Sequence, residues 1–234
     1  MSFGPGSSRR RDRDHAGGGG IVTARDAALL VVDVQNGFIS EERELPVPGG
    51  ADVLPVINAL LKRFPVRIAT QDWHPRNHGS FASRHPGKKP FDLGTLGGLP
   101  QTLWPDHCVQ GTRGAELHPG LDQTLLQAVF RKGYDPEVDS YSGFSDNAGR
   151  NPTGLDGALR SRGVKRLYVA GLALDYCVRW SALDARRLLP DVEVFVVLDA
   201  TRPVDPRTGA EAKRELERAH VRLIQSRDVL GSGT

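Results

Sequence analysis

Four side chains that could take part in catalysis stand at or near the ends of apolar, strand-like runs in this chain. Asp33 follows Ala-Leu-Leu-Val-Val, Asp72 ends a second run, Lys132 follows Ala-Val-Phe-Arg, and Cys177 comes shortly after a fourth. In an open parallel α/β sheet the carboxyl ends of the strands face a common crevice. We therefore expect these four residues to meet at one site, as they would in an enzyme.

Cys177 is the candidate nucleophile. It lies in Gly-Leu-Ala-Leu-Asp-Tyr-Cys-Val, where a strand is predicted to end and a helix to begin. Unpaired N–H groups and the positive end of the helix dipole favour a thiolate there, and the same N–H groups can hold an oxyanion. The alternative is a small, buried, apolar cysteine. The position at a strand-to-helix turn favours the nucleophile.

Asp33 and Lys132 are the candidate partners of that thiol. A carboxylate that closes a strand of Leu and Val is costly unless it is paired, although a turn or helix-capping aspartate is an alternative. Lys132, in Phe-Arg-Lys-Gly, can supply the counter-charge or can be an ordinary solvated lysine. With Cys177 they would make a base, an orienting cation and a nucleophile.

The segment Asp72-Trp-His74 places two possible metal ligands on the same side of an extended chain. His107 is the best third ligand, and Ser80 or His78 could add a further polar contact. Two histidines and one carboxylate with open positions suit a divalent zinc, iron or manganese ion. The alternative is that these residues only form hydrogen bonds within a loop.

The elements that must position these residues alternate between strand and helix. A βαβ pattern predicts a three-layer α/β/α fold with a mostly parallel sheet of about six strands. The stretch 73–127 is rich in proline and glycine and has weak periodicity, so we predict a long functional loop that walls the pocket. Strands are predicted at 28–33, 66–71, 128–131, 166–172, 192–199 and 221–224, and helices near 51–63, 154–162, 176–189 and 208–219.

Composition limits the classes of function. The net charge is +3, of which residues 1–24 carry +2, so the rest of the chain is nearly neutral and offers no basic face for nucleic acid. We expect a disordered basic tail over 1–24 and one domain over 25–230. No stretch suits a membrane span, and two cysteines fit a reducing compartment, so we expect a soluble, cytoplasmic protein. Whether it forms a homo-oligomer stays open.

Several motifs together resemble the nicotinamidases of the isochorismatase-like cysteine hydrolase family over roughly residues 27–226. Their length and order make chance a poor explanation. The matching segments are Leu-Leu-Val-Val-Asp33-Val-Gln-Asn-Gly-Phe38, Gln-Asp72-Trp-His74-Pro-Arg-Asn-His-Gly-Ser80-Phe-Ala-Ser, Leu-Pro-Gln-Thr-Leu-Trp104-Pro-Asp-His107-Cys-Val, Phe-Arg-Lys132-Gly, Asp-Ser-Tyr141-Ser-Gly-Phe144 and Gly-Leu-Ala-Leu-Asp-Tyr-Cys177-Val.

The resemblance implies roles for these residues. It implies that nicotinamide is the substrate, with pyrazinamide also accepted, and that the peptide between Leu172 and Ala173 is cis. The implied site comprises an Asp33–Lys132–Cys177 triad, a metal ion on Asp72, His74 and His107 with Ser80 near a fourth position, an aromatic slot of Phe38, Trp104 and Tyr141, and an oxyanion hole of the Ala173 and Cys177 backbone N–H groups.

Two other functions stay open, and two positions depart from the family pattern. The chain could be a related cysteine amidohydrolase acting on a carbamoyl or ureido substrate, although the metal set speaks against that branch, or a non-catalytic member of the fold. Gly37 stands where family members commonly have Asp, and Leu174 where they commonly have Thr. Neither position belongs to the triad, so we expect activity to be retained.

Overall fold

Six parallel strands form the central sheet of this computed structural model, which describes residues 25–39 and 44–231. The basic tail predicted over 1–24 lies outside the described residues. In chain order the strands are β1 (Ala27–Val32), β2 (Val66–Asp72), β3 (Leu93–Leu96), β4 (Leu99–Thr102), β5 (Ala128–Lys132), β6 (Arg166–Leu172), β7 (Glu193–Arg202) and β8 (Arg222–Ile224). The order in the central sheet is β5-β2-β1-β6-β7-β8, and every pairing within this sheet is parallel, as predicted.

Helices cover both faces of the sheet, which confirms the three-layer α/β/α prediction. Side chains of β1 alternate between the faces: Leu29 and Val31 pack with α2 on one side, while Leu30 and Val32 pack with α3 and α4 on the other. The helices are α1 (Asn36–Ile39), α2 (Val53–Leu61), α3 (Leu155–Ser161), α4 (Arg179–Leu188), α5 (Pro206–Arg218) and α6 (Arg227–Leu230).

The strand order reverses between β1 and β6. From β1 the chain proceeds outward to β2 and β5, and it then returns to β6 and proceeds outward to β7 and β8. A crevice opens at the carboxyl ends of strands at such a reversal. Asp33 follows β1 and Cys177 follows β6, so the two residues lie on either side of this crevice.

The stretch 73–127 holds more regular structure than its sequence indicated. Strands β3 and β4 form an antiparallel hairpin whose turn is Gly97-Gly98, both with positive φ (58° and 80°). Two glycines in the left-handed region make a tight hairpin turn, so Gly-Gly was the missed signal. Isolated bridges pair His74 with Val109 and Phe81 with Trp104, and these bridges tie the loop to the crevice.

Two boundaries of the predicted elements differ from prediction by three residues, and the others differ by less. The helix predicted from 176 is preceded by a π turn over Leu174–Val178 and begins as α4 at Arg179. Strand β7 continues to Arg202, three residues past the predicted end, and pairs with the end of β6 through a register shift. Among the described residues, no helix has the length and apolar character needed to cross a membrane.

Candidate active site

Asp33, Lys132 and Cys177 come together at the floor of the crevice. The Lys132 Nζ lies 3.0 Å from Oδ2 of Asp33 and 3.5 Å from Sγ of Cys177. The Thr70 hydroxyl donates to Oδ1 of Asp33 at 2.6 Å. Oδ2 has no aligned hydrogen-bond donor among the described residues, so its contact with the ammonium is an ion pair. This oxygen is therefore the one available to accept a proton from the thiol.

Lys132 has a second carboxylate partner that sequence reasoning missed. Its Nζ donates to Oδ1 of Asp72 at 2.5 Å and to the Ser140 carbonyl at 2.9 Å. The ammonium is fully buried and is shared between Asp33 and Asp72. Strands β5 and β2 are neighbours, and Lys132 is in register with Asp72. The contact between Lys132 and Asp72 therefore arises where the ends of these two strands pair. One cation thus joins the candidate triad to the candidate metal ligands.

Burial shifts the pKa values of two members of the triad, Asp33 and Cys177. Desolvation raises the pKa of Asp33 by more than the Lys132 charge lowers it, and it raises the pKa of the Cys177 thiol well above its ordinary value despite the same cation. Desolvation thus favours the neutral thiol and opposes the helix-start effect, which favours a thiolate. A carboxylate with a raised pKa is a better match for a thiol proton than an ordinary aspartate.

Asp72, His74 and His107 form a cluster that suits a metal ion. Their ligand atoms lie within 4.8 Å of one another, with the two histidine Nε2 atoms 3.6 and 4.0 Å from Oδ2 of Asp72. Each Nδ1 lies 2.8 Å from a backbone carbonyl, of Gly133 for His74 and of Pro105 for His107. A carbonyl only accepts, so Nδ1 carries the hydrogen and the Nε2 lone pairs face the carboxylate.

The charges around this cluster suit cation binding. Burial acts to raise the pKa of Asp72, but the Lys132 and His74 charges hold it well below its usual range, so Asp72 is a carboxylate. Burial lowers the pKa of His107 to about 4, helped by the nearby His74. Burial likewise opposes protonation of His74, but the Asp72 charge outweighs it and raises that pKa. A cation bound at Nε2 of His74 would compete with protonation of that nitrogen.

Ser80 lies beside His78. Its hydroxyl is 2.7 Å from Nδ1 of His78, and both side chains are buried. Nε2 of His78 has no hydrogen-bond partner in the part of the chain described, and His78 forms a second candidate cluster with His74 and Asp139. A role for Ser80 near the fourth position stays a prediction, with His78 as the neighbouring alternative.

A small pocket, with a cavity volume of about 30 Å³, is lined by Cys177 and by the candidate metal cluster. Phe38, Trp104 and Tyr141, the three predicted aromatic residues, all line it. Tyr176 was missed: its ring meets Trp104 edge-on at 4.9 Å, and its place beside Cys177 was the only signal for it. The pocket is further lined by residues that sequence reasoning also missed, namely Leu45, Val47, Asp139 and Val204.

The peptide between Leu172 and Ala173 is cis, as the resemblance implied. Ala173 follows β6 directly and lines the pocket beside Cys177. Leu174, one of the two departures from the family pattern, is buried in the core on the α3–α4 side of the sheet and is absent from the pocket lining. Its apolar side chain is therefore explained by packing.

Comparison with known proteins gives a consistent result. Residues 27–228 match the model of the isochorismatase domain. A nicotinamidase from Escherichia coli is 48% identical over 207 residues, which cover 86% of this chain and 95% of that protein. A nicotinamidase from Acinetobacter baylyi is 45% identical over 208 residues, which cover 88% of this chain and 96% of that protein.

Solved structures agree with the sequence relatives. A nicotinamidase/pyrazinamidase from Acinetobacter baumanii superposes with a TM-score of 0.84 at 42% identity, covering 88% of this chain and 99% of that one. PnC1 from L. infantum, in complex with nicotinate, gives 0.78 at 38% (89% and 98% covered). A pyrazinamidase from Pyrococcus horikoshii, in complex with zinc, gives 0.70 at 35% (86% and 99% covered).

Proposed function

This chain belongs to the isochorismatase family, and from that premise we propose that it hydrolyses nicotinamide to nicotinate and ammonia and also accepts pyrazinamide. The observation that carries the proposal is the meeting of Asp33, Lys132 and Cys177 beneath an aromatic pocket that also holds the Asp72 cluster. Relatives of 45–48% identity named as nicotinamidases support it. Such an activity would serve salvage of the pyridine ring for NAD synthesis.

The reaction begins with proton transfer from Cys177 to Asp33. The thiolate then attacks the carboxamide carbon and forms the C–S bond, and the carbonyl electron pair moves onto oxygen. We assign the oxyanion to the backbone N–H groups of Ala173 and Cys177. Lys132, 3.5 Å from Sγ, stabilises the thiolate while it keeps Asp33 in place.

Collapse of the tetrahedral species breaks the C–N bond. Asp33 returns its proton to the departing amine, which leaves as ammonia, and a thioester on Cys177 remains. Water, deprotonated by Asp33, then attacks the thioester and releases nicotinate. Asp33 finally returns the proton to the sulfur, so the residue acts as base and acid in both halves of the reaction.

Asp72, His74 and His107 are proposed to hold one divalent metal ion, with zinc, iron and manganese as candidates. The ion would supply a Lewis-acid contact that positions the ring of the substrate, away from the scissile bond. Phe38, Trp104 and Tyr141 are proposed to enclose that ring. Aromatic walls accept flat heteroaromatic rings with little regard to a second ring nitrogen, which is why pyrazinamide is included.

The cellular setting follows from the thiols. Cys108 and Cys177 are both free and buried, and two cysteines without a disulfide fit a reducing compartment. We therefore place the enzyme in the cytoplasm. Its partner is the small-molecule substrate, and a nearly neutral chain body offers no basic face for nucleic acid.

The test is ammonia release by zinc-loaded full-length protein from three substrates: nicotinamide, pyrazinamide and N-carbamoylsarcosine as a ureido control. We expect turnover of the two aromatic amides and none of the third. Mass spectrometry of acid-quenched reactions should show the acyl group on the peptide that contains Cys177. Turnover of the ureido compound alone would establish the alternative amidohydrolase, and release from none of the three would establish a non-catalytic protein.

A further inference from the structure

Glu44 carries a carboxylate that the proposed mechanism does not use, although it lies beside the candidate metal cluster. Its Oε2 accepts a hydrogen bond from the backbone N–H of Cys108 at 2.7 Å. That N–H belongs to the peptide that joins Cys108 to His107. A carboxylate bonded to a backbone N–H is a strong, charge-assisted contact.

The Cys108 residue has an uncommon backbone conformation. Its φ is +46°, in the left-handed region that a residue with a side chain rarely adopts. Its carbonyl accepts from the backbone N–H of His74 at 3.1 Å. The two peptide groups around Cys108 therefore fix both candidate histidine ligands, and surrounding contacts must hold this conformation. The Glu44 carboxylate is one of these contacts.

Two glycines leave room for this carboxylate. A Cβ atom built on Gly37 would lie 2.7 Å from Oε2 of Glu44, and one built on Gly114 would overlap the same carboxylate. Neither glycine has a positive φ, so the backbone does not demand glycine at either position. At Gly114 all three nearest atoms belong to Glu44, so space for this carboxylate is the physical reason for glycine there. At Gly37 Glu44 is the nearest of three groups, since the Cβ would also lie 3.1 Å from Sγ of Cys108 and 3.2 Å from the Gly114 carbonyl oxygen.

We propose that Glu44 is a positioning residue: its carboxylate occupies the space beside Gly37 and holds the His107–Cys108 peptide so that the Nε2 atoms of His107 and His74 face Asp72. The metal-binding part of this inference rests on the proposed function. Glu44 touches no reacting atom and acts through the backbone of residues 107 and 108.

The test is a cycle of Glu44→Ala, Gly37→Asp and the double variant, in the full-length chain. Zinc affinity is measured by competition with a chromogenic chelator, together with the thermal midpoint, KM and kcat. Glu44→Ala should weaken zinc binding about 10-fold or more, as loss of a group that orients metal ligands does elsewhere. KM should rise more than kcat falls, since the metal cluster positions the substrate.

Gly37→Asp alone should lower the thermal midpoint, because the new Cβ and the Glu44 carboxylate compete for one space. In the double variant one carboxylate again fills one space. Its zinc affinity should therefore lie within about 3-fold of the parent value, and its thermal midpoint within about 2 °C.

Glu44→Gln should retain most of the zinc affinity, since an amide oxygen can accept the same hydrogen bond. Glu116→Ala, which removes an exposed carboxylate from the neighbouring segment, is the matched control and should change nothing.

Hydrogen exchange at the Cys108 amide reports on the contact without metal or substrate. It should accelerate in Glu44→Ala and slow again in the double variant. Unchanged zinc affinity and unchanged exchange in Glu44→Ala would overturn the proposal, and so would a double variant no better than either single one. Normal zinc binding without hydrolysis would overturn the proposed function alone, whereas a parent protein that binds no zinc would overturn the positioning role.

Discussion

The two halves of the site are built on different kinds of structure. Asp33 and Lys132 follow or end strands of the central sheet, and Cys177 follows β6 within one π turn. On the metal side, Asp72 ends a strand, but His74 and His107 lie in the long loop region and are held by backbone carbonyls. The triad is thus positioned by the core, whereas the metal cluster is positioned by local hydrogen bonds.

The difference also concerns charge. In the triad half, burial raises the pKa values of a carboxylate and a thiol. In the other half, the neighbouring charges lower the pKa of the Asp72 carboxyl, which would suit a cation site. Lys132 serves both halves with one ammonium. The lesson is that two sets of residues that look independent in sequence are coupled through a single buried cation.

Cys177→Ala is the change that should separate the halves most clearly. We expect nicotinamide turnover to fall on the order of 10⁴-fold, because the nucleophile is lost. Zinc content should stay at the parent level, since Cys177 is not one of the three candidate ligands Asp72, His74 and His107. Cys108→Ala, which removes the other buried thiol, is the matched control and should keep most of the activity. Loss of activity in the Cys108 variant with retention in the Cys177 variant would reverse the assignment of the nucleophile.

Lys132→Met should damage both halves at once. Removal of one partner from a buried ionic cluster costs about 3–5 kcal/mol, so the free energy of unfolding should fall measurably. Turnover and zinc affinity should both drop, because Asp33 and Asp72 lose their shared cation. Chemical denaturation, ammonia release and chelator competition give the three measurements. A variant that loses turnover but binds zinc like the parent would show that the coupling through Lys132 is absent.

We expect that the metal ion, or one of its histidine ligands, can be removed while the rest of the chain, including the triad, stays folded. We expect His74→Ala and His107→Ala to raise KM for nicotinamide and lower zinc affinity by at least about 10-fold, with thermal stability of the zinc-free forms close to that of zinc-free parent. Treatment with a chelator should give the same defect, and added zinc should repair it in the parent only. Parent-like KM in rigorously metal-free protein would contradict the positioning role of the ion.

The pH dependence of kcat/KM should report on the triad. Burial raises the pKa of Asp33, so its base form is lost as the pH falls through a value above that of an ordinary aspartate. The acid limb of the profile should therefore lie at a higher pH than a free carboxylate would give. Asp33→Asn should abolish turnover and, with it, the acid limb. As a control, iodoacetamide should still alkylate Cys177 in this variant, which would show that the site remains accessible. An acid limb at the ordinary aspartate value would exclude Asp33 as the base.

The sequence alone was sufficient for the architecture and for most of the site. Apolar runs that alternate with segments of helical periodicity predict a parallel sheet. The reason is that a strand buried on both faces has no polar residues at alternate positions. Since strand ends share one edge, the same pattern predicts that Asp33, Asp72, Lys132 and Cys177 meet there. The Asp72-Trp-His74 segment then led to His74 and His107, and the resemblance to a known family implied Phe38, Trp104 and Tyr141. All five line the pocket in the structure.

Only the tertiary structure decided the contacts between these parts. Strand register brings Lys132 beside Asp72 as well as Asp33, and no local pattern encodes which strands are neighbours. The depth of burial, which raises the pKa of Cys177, depends on everything packed around it. The contact between the Glu44 carboxylate and the Cys108 backbone N–H depends on space between distant segments. Local sequence determines periodicity and turn chemistry, whereas distances and desolvation arise only when the whole chain is packed.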